Sequence, residues 1–274
     1  MSGSPSTGAR GGTVLSDFDR WPFTAEGKTR DVYCVGEGPA VIVISEVPGI
    51  TPLVAELGKR VAAIGCTAVL PHLFGEPGAE ATVARVVKVI SHACISREFA
   101  TFALNRTSPV TSWLRALARE AHDRYGGPGV GVVGMCLTGG FALAMMVDDV
   151  VVAPVLSQPA LPMPVSKAHR SDLGISREDL RRVRERCAVE DVCVLGLRFS
   201  GDRGSPAERF ARLRHELGDH FVGVEIDSSP GNPEGYRKQA HSVLTEDLKD
   251  VPGSATRDAL EQVLDLFRSR LLDR

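Results

Sequence analysis

The stretch Val130-Gly-Val-Val-Gly134-Met-Cys136-Leu-Thr138-Gly139-Gly-Phe-Ala-Leu-Ala passes from an apolar, strand-like segment directly into a helix-like segment of small residues. Such a junction is typical of the nucleophile elbow, G-x-S-x-G, in which glycines remove side chains that would clash with a sharply turned nucleophile. Gly134 and Cys136 occupy the first glycine and the nucleophile positions. Thr138 stands where the second glycine is usual, and Gly139 follows one place later. The pattern predicts a nucleophilic cysteine at a helix N-terminus, where unpaired amides favour the thiolate.

Two other interpretations fit parts of this stretch. A free cysteine is most often a small buried side chain without chemistry. The spacing Gly129-x-Gly131-x-x-Gly134 also matches a dinucleotide-binding fingerprint, but those glycines should follow a strand and open a helix. Here the first two glycines precede or lie within the predicted strand. The strand-turn-helix context therefore favours a nucleophile over an NAD-linked oxidoreductase.

Outward from this junction, apolar β-branched runs alternate with segments of helical periodicity, which predicts an α/β fold with a mostly parallel central sheet and helices on both faces. Residues 40–45 form a continuous apolar run that is typical of a strand buried on both faces. Further elements are expected at 13–23 and at 237–248. We expect residues 1–12 to be a flexible tail and residues 13–274 to form a single domain, with the proline-rich start of 158–190 marking an insertion or lid.

Composition excludes several classes of protein. The chain has 274 residues, 43% of them apolar, and its 32 Lys and Arg nearly balance its 34 Asp and Glu. This balance gives no support to nucleic acid or a membrane surface as a partner. No apolar stretch approaches the roughly 20 residues that cross a bilayer, and the first residues lack the apolar core of a signal peptide. We expect a cytoplasmic protein, either a monomer or a small homo-oligomer.

The six cysteines are widely spaced and contain no CxxC pair. Without an export signal, reduced thiols are expected rather than disulfides. Cys187 and Cys193 lack a second pair of ligands nearby, and no phosphate-binding GxxxxGK[ST] motif occurs. The sequence therefore predicts neither a metal site nor an organic cofactor.

A thiol nucleophile needs a base and a group that orients the base, and behind an elbow of this type they follow in the order acid, then histidine. Asp202 lies in a Gly-rich turn just past a predicted strand, and His241 lies between the last predicted strand and the C-terminal helix. Asp202 could instead cap the following helix, as turn aspartates often do. Asp227 and Asp219 are the next candidates for the acid.

Four short segments, in this order and spacing, resemble the dienelactone hydrolase family, the cysteine branch of the α/β hydrolases, over roughly residues 30–250. They are Ile44-Ser-Glu46-Val47-Pro48-Gly49, Ala68-Val-Leu-Pro71-His-Leu-Phe74-Gly75, Gly134-Met-Cys136-Leu137, and Gly201-Asp202 together with Ala240-His241-Ser242. The resemblance implies the α/β-hydrolase fold. It also implies hydrolysis of a small-molecule ester or lactone through a cysteinyl acyl-enzyme, without a cofactor.

The same resemblance implies roles for individual residues. Glu46 takes the position of a glutamate that helps to activate the thiol of Cys136, and His241 delivers the proton that the leaving oxygen needs. The amides of Val47 and Leu137 take the oxyanion-hole positions, where two donors stabilise a tetrahedral oxyanion.

Departures from the family pattern concern the substrate. Family members that cleave dienelactone bind its carboxylate with arginines, and one of those positions holds Thr245 here. The other corresponds to Arg97 or Arg106, which are the candidate substrate-binding residues. Together with Thr138 in the elbow, these departures leave an alternative open, namely a non-catalytic ligand-binding or interaction protein on a hydrolase scaffold.

Overall fold

The apolar runs of the sequence form the strands of one sheet in a computed structural model, which describes residues 14–95 and 98–273. The strands are β1 (Asp19–Ala25), β2 (Lys28–Val35), β3 (Ala40–Ile44), β4 (Thr67–Pro71), β5 (Val130–Met135), β6 (Val151–Ser157), β7 (Val194–Phe199) and β8 (Phe221–Ile226). They lie in the order β1-β2-β4-β3-β5-β6-β7-β8. Strand β2 is antiparallel to both of its neighbours, and all other pairs are parallel. The predicted mostly parallel sheet is confirmed.

Helices cover both faces of this sheet. They are α1 (Pro52–Ala63), α2 (Val83–Ile95), α3 (Val110–Tyr125), α4 (Gly139–Met145), α5 (Lys167–Ser171), α6 (Arg177–Glu190), α7 (Ala207–Leu217) and α8 (Ala255–Leu271). Helices α1 and α8 pack on one face, and α3, α4, α6 and α7 pack on the other. Both faces of β3 and β5 are therefore buried, which accounts for their continuous apolar sequences. No helix within 14–95 or 98–273 is long and apolar enough to span a bilayer.

Two predicted elements differ from the structure. Strand β1 begins at Asp19, because residues 14–18 form turns. Residues 237–248, where an element was expected, contain neither helix nor strand. The Asp247 carboxylate accepts the backbone N–H groups of His241 (2.8 Å) and Ser242 (3.1 Å), and such side-chain bonds replace the backbone bonds of a regular element. The predicted tail, residues 1–12, lies outside the described residues.

Residues 158–190, predicted as an insertion or lid, contain α5 and α6. The guanidinium of Arg209 in α7 is buried and donates to four carbonyl oxygens of this segment at 2.6 to 2.9 Å. Desolvation by this burial lowers the pKa of Arg209 to about 10. The N–H of Ala160, near the start of the segment, donates to the carbonyl of Cys136 at 2.8 Å. The segment is thus joined both to α7 and to the predicted nucleophile.

Candidate active site

The elbow is a tight turn between β5 and α4. Cys136 has φ of +56°, in the left-handed region, and opens a single 3-10 turn that leads into α4. A Cβ on Gly134 would lie 2.3 Å from the carbonyl oxygen of Thr138, so only glycine fits there. The Thr138 hydroxyl accepts the N–H of Met135 at 3.0 Å and lies 3.1 and 3.2 Å from two carbonyl oxygens at the end of β3. Thr138, the departure from the motif, therefore joins the elbow to the neighbouring strand.

Cys136 lies beside a histidine that is bonded to an aspartate. Nδ1 of His241 is 2.7 Å from Oδ2 of Asp202, and the Cys136 thiol lies close enough to the imidazole to influence its pKa. The other oxygen of Asp202 accepts the N–H of Gly204 at 2.8 Å. Desolvation lowers the pKa of His241, but the negative charge on Cys136 and the hydrogen bond with Asp202 outweigh it and hold this pKa well above its ordinary value. The arrangement can stabilise an imidazolium next to a thiolate.

The two alternative acids lie elsewhere. Asp227 is exposed, and its carboxylate accepts the N–H of Ser229 at 2.8 Å. Asp219 is also exposed, in the 3-10 turn Gly218–His220. Asp202 is therefore the aspartate of the three that the structure brings to the histidine.

Glu46 directly follows the last residues of β3 and is 4% exposed. Its carboxylate accepts hydrogen bonds from the hydroxyls of Ser242 (2.7 Å) and Thr245 and from the amide of Gln158 (3.3 Å). Ser242 is the residue after His241, so the carboxylate is bonded to the loop that carries the histidine. Thr245, which stands where the family pattern has an arginine, is one of the donors that hold Glu46.

Gln158 is a site residue that sequence reasoning missed. It is fully buried after β6, and its side-chain oxygen accepts the N–H of Val243 (3.4 Å) and the hydroxyl of Ser157. The Gln158 side chain therefore connects Glu46 to the histidine loop, residues 237–248, which carries His241. One feature of the sequence could have indicated it: a polar pair directly after a buried parallel strand lies at the sheet edge where sites form.

The two predicted oxyanion donors follow the ends of the neighbouring parallel strands β3 and β5. Val47 is half-buried, and its N–H makes no hydrogen bond to any residue that the structure describes. Leu137 follows Cys136 in the first turn of its helix, where backbone N–H groups have no partner within the helix. Both amides are thus suited to an anionic oxygen beside Cys136.

Of the two predicted substrate-binding arginines, the structure describes only Arg106, and it does not join this group. Arg97 lies outside the described residues. Arg106 is exposed, and the residues on either side of it bond to Asp172 (2.8 Å) and Asp179, on the segment that contains α5 and α6.

A cavity of about 520 Å³ opens next to Val47. The loops after β3 and β4 meet at its edge, where a Cβ on Gly75 would lie 1.8 Å from the carbonyl oxygen of Pro48. Glycine is therefore required at position 75, the last residue of the segment 68–75 that resembles the family. Six of the residues that line the cavity are Pro48, Leu73, Phe74, Arg85, Val89 and Phe99.

The mostly parallel strand order and the tight turn between β5 and α4 are those of the α/β-hydrolase fold. A sequence model of the dienelactone hydrolase family matches residues 30–179, more than half of the chain. The chain belongs to this family and is a hydrolase of it. No curated protein matches the sequence.

Solved structures share the fold. A protein from Klebsiella pneumoniae described as a dienelactone hydrolase superposes with a TM-score of 0.60 at 18% identity, covering 91% of this chain and 97% of its own. A dienelactone hydrolase-like promiscuous phosphotriesterase from metagenomic libraries superposes with a TM-score of 0.59 at 15% identity, covering 93% of this chain and 98% of its own. A cold-adapted esterase from an Arctic intertidal metagenomic library superposes with a TM-score of 0.54 at 14% identity, covering 92% of both chains. At these identities the likeness extends to the fold alone.

Proposed function

We propose that this protein hydrolyses a small ester or lactone through a cysteinyl acyl-enzyme, with Cys136 as nucleophile, His241 as acid and base, and Asp202 orienting the imidazole. The observation that supports this most is the grouping of three side chains: Nδ1 of His241 lies 2.7 Å from Asp202, and the imidazole lies beside a cysteine at φ +56° in the elbow. Asp202 and His241 lie beyond the residues that the family model matches, so their assignment rests on this geometry.

In the proposed mechanism the Cys136 sulfur attacks the carbonyl carbon, forming a C–S bond while the carbonyl π electrons move onto oxygen. The amides of Val47 and Leu137 donate hydrogen bonds to this oxyanion, worth a few kcal/mol relative to water. As the oxyanion collapses, the C–O bond to the alcohol breaks and the imidazolium of His241 protonates the leaving oxygen. Neutral His241 then takes a proton from water, which attacks the thioester and releases the acid and the thiol.

Glu46 takes part in this scheme through the histidine loop. The resemblance implies that Glu46 helps to activate the thiol. Its carboxylate accepts hydrogen bonds from the hydroxyls of Ser242 and Thr245, which follow His241 in the same loop. We propose that Glu46 favours the reactive pair by holding His241 against Cys136. Arg97 and Arg106 remain proposed substrate contacts for an anionic group.

The test is turnover of a panel of short esters, thioesters and lactones by the wild type, by Cys136→Ala and by Cys193→Ala. Burial raises the pKa of the Cys193 thiol, which lies away from the elbow and makes a matched control. We expect Cys136→Ala to lower kcat by roughly a thousandfold or more and Cys193→Ala to leave it unchanged. A mass increase equal to the acyl group, on the peptide that contains residue 136, should appear during turnover.

Two results would contradict the proposal. Equal activity in Cys136→Ala would remove the cysteine from the mechanism. Saturable binding of these compounds without any turnover would favour the alternative, a ligand-binding protein on a hydrolase scaffold.

A further inference from the structure

We infer that the cavity next to Val47 holds the acyl part of the substrate, and that this acyl group is bulky and apolar, such as an arylacetyl or a medium-chain alkanoyl group. The inference rests on the proposed function and names its substrate class. It departs from the small anionic lactone that the family resemblance suggests.

The position of the cavity assigns it to the acyl side. The cavity lies at the loops that follow β3 and β4, whereas His241 and Asp202 follow β8 and β7, on the opposite side of β5. The leaving oxygen must reach His241 to be protonated. With the carbonyl carbon at Cys136 and its oxygen at the amide of Val47, the acyl substituent points away from the histidine, toward Pro48 and the cavity.

The lining fits a large apolar group. The ring centroids of Phe74 and Phe99 are 5.9 Å apart. The ring centroid of Phe99 is also 6.0 Å from that of Phe141, which lies in α4, the helix after the elbow. Leu73 and Val89 add aliphatic surface. A volume of about 520 Å³ lies within the 300–1,000 Å³ that drug-sized ligands occupy, far more than an acetyl group fills.

Four charged side chains line the cavity, namely Glu76, Arg85, Lys88 and Glu98, and both carboxylates form ion pairs. Arg85 bonds to Glu76 at 3.2 Å, and Glu98 forms ion pairs with Lys28 (2.5 Å) and Arg30. Since a hydroxyl cannot replace a bidentate guanidinium, Thr245 gives an anionic group no compensation on the histidine side.

The experiment compares p-nitrophenyl acetate, hexanoate and phenylacetate in three proteins: the wild type, Val89→Trp and Val87→Trp. Val89 is 8% exposed and lines the cavity, whereas Val87, on the same helix α2, is 61% exposed and serves as the control. Each rate is corrected for hydroxide-catalysed hydrolysis. We expect kcat/KM in the wild type to be at least about tenfold higher for hexanoate and phenylacetate than for acetate.

A tryptophan at Val89 fills the cavity, so this variant should lose that preference and keep its activity on acetate within about threefold, while Val87→Trp matches the wild type. A wild type that prefers acetate overturns the inference, as does a Val89→Trp variant that loses activity equally on all three esters. Either result leaves the cysteine mechanism intact.

A binding measurement tests the cavity assignment separately from the acyl-enzyme mechanism. In the Cys136→Ala protein, titration calorimetry with p-nitrophenyl hexanoate should give saturable binding that the additional Val89→Trp change abolishes. If the wild type hydrolyses no ester and this binding is still found, the acyl-enzyme proposal fails and the cavity assignment stands. If neither Cys136→Ala nor the wild type binds the ester, the cavity assignment fails.

Discussion

The elbow, residues 130–145, and the histidine loop, residues 237–248, meet where His241 lies beside Cys136, but they are held in place in different ways. In the elbow, the close contact of Gly134 with Thr138 and the bond of Thr138 to Met135 span three or four residues. In the loop, the decisive bonds span 39, 85 and 196 residues, to Asp202, Gln158 and Glu46. The sharp turn at the nucleophile is thus shaped by its own sequence and is joined to β3 through Thr138, whereas the base is positioned by three other strand ends.

The largest effect in the loop should come from the imidazole itself. His241→Ala removes the acid and base and should lower kcat by several orders of magnitude, whereas Asp202→Asn should lower it less, through loss of orientation. Asp227→Asn, at an exposed aspartate, is the control and should leave kcat unchanged. Steady-state kinetics with one ester measures all three. An Asp202→Asn enzyme as active as the wild type would move the orienting role to another carboxylate.

A smaller effect should follow when one long-range bond of the loop is removed. Thr245→Val takes a hydroxyl donor from the buried Glu46 carboxylate, at a cost of the order of 1 to 3 kcal/mol for an unpaired buried acceptor. We expect kcat to fall about tenfold with little change in KM, because the loop is displaced and not the substrate.

The conservative variant Thr245→Ser keeps the hydroxyl and should retain most of the wild-type kcat. If Thr245→Val and Thr245→Ser are equally active, the hydroxyl bond does not position the histidine. If kcat falls equally in both variants, the hydroxyl alone does not account for the loss, and the packing of the side chain at position 245 contributes as much.

The contact between the elbow and the histidine loop should also affect how the free energy of unfolding depends on pH. Burial of His241 opposes protonation, but Cys136 and Asp202 raise its pKa well above the ordinary value of 6.5. Such a group stabilises the fold fully below its unfolded pKa, and this stabilisation is lost as pH rises through the folded pKa. The free energy of unfolding should therefore differ most between the wild type and Asp202→Asn near about pH 6, and less at alkaline pH. Urea unfolding across this range measures it, and a difference that grows with pH would contradict the ion pair.

The same contrast accounts for what the sequence could predict. The elbow, the parallel sheet and the order of Cys136, Asp202 and His241 follow from local patterns, namely strand periodicity and turn residues. The polar pair at the end of β6 could have indicated a site near Gln158, but no local pattern predicts its partners, because they come from β3 and the loop after β8. Residues 237–248 were expected to form an element for a related reason: their apolar residues resemble one, but the bonds of Asp247 to two backbone amides favour an irregular turn.

The smallest effect concerns substrate charge. Because Thr245 donates to Glu46 and Arg85 pairs with Glu76, we expect kcat/KM for an anionic lactone and for its neutral methyl ester to differ by less than about tenfold. The measurement uses one such acid and ester pair. A preference for the acid above roughly a hundredfold, about 2.7 kcal/mol, would show that a cation has been recruited to the site. Arg97→Ala and Arg106→Ala would then identify it: loss of the preference in one variant names the arginine, and survival in both transfers the role to Arg85 at the cavity.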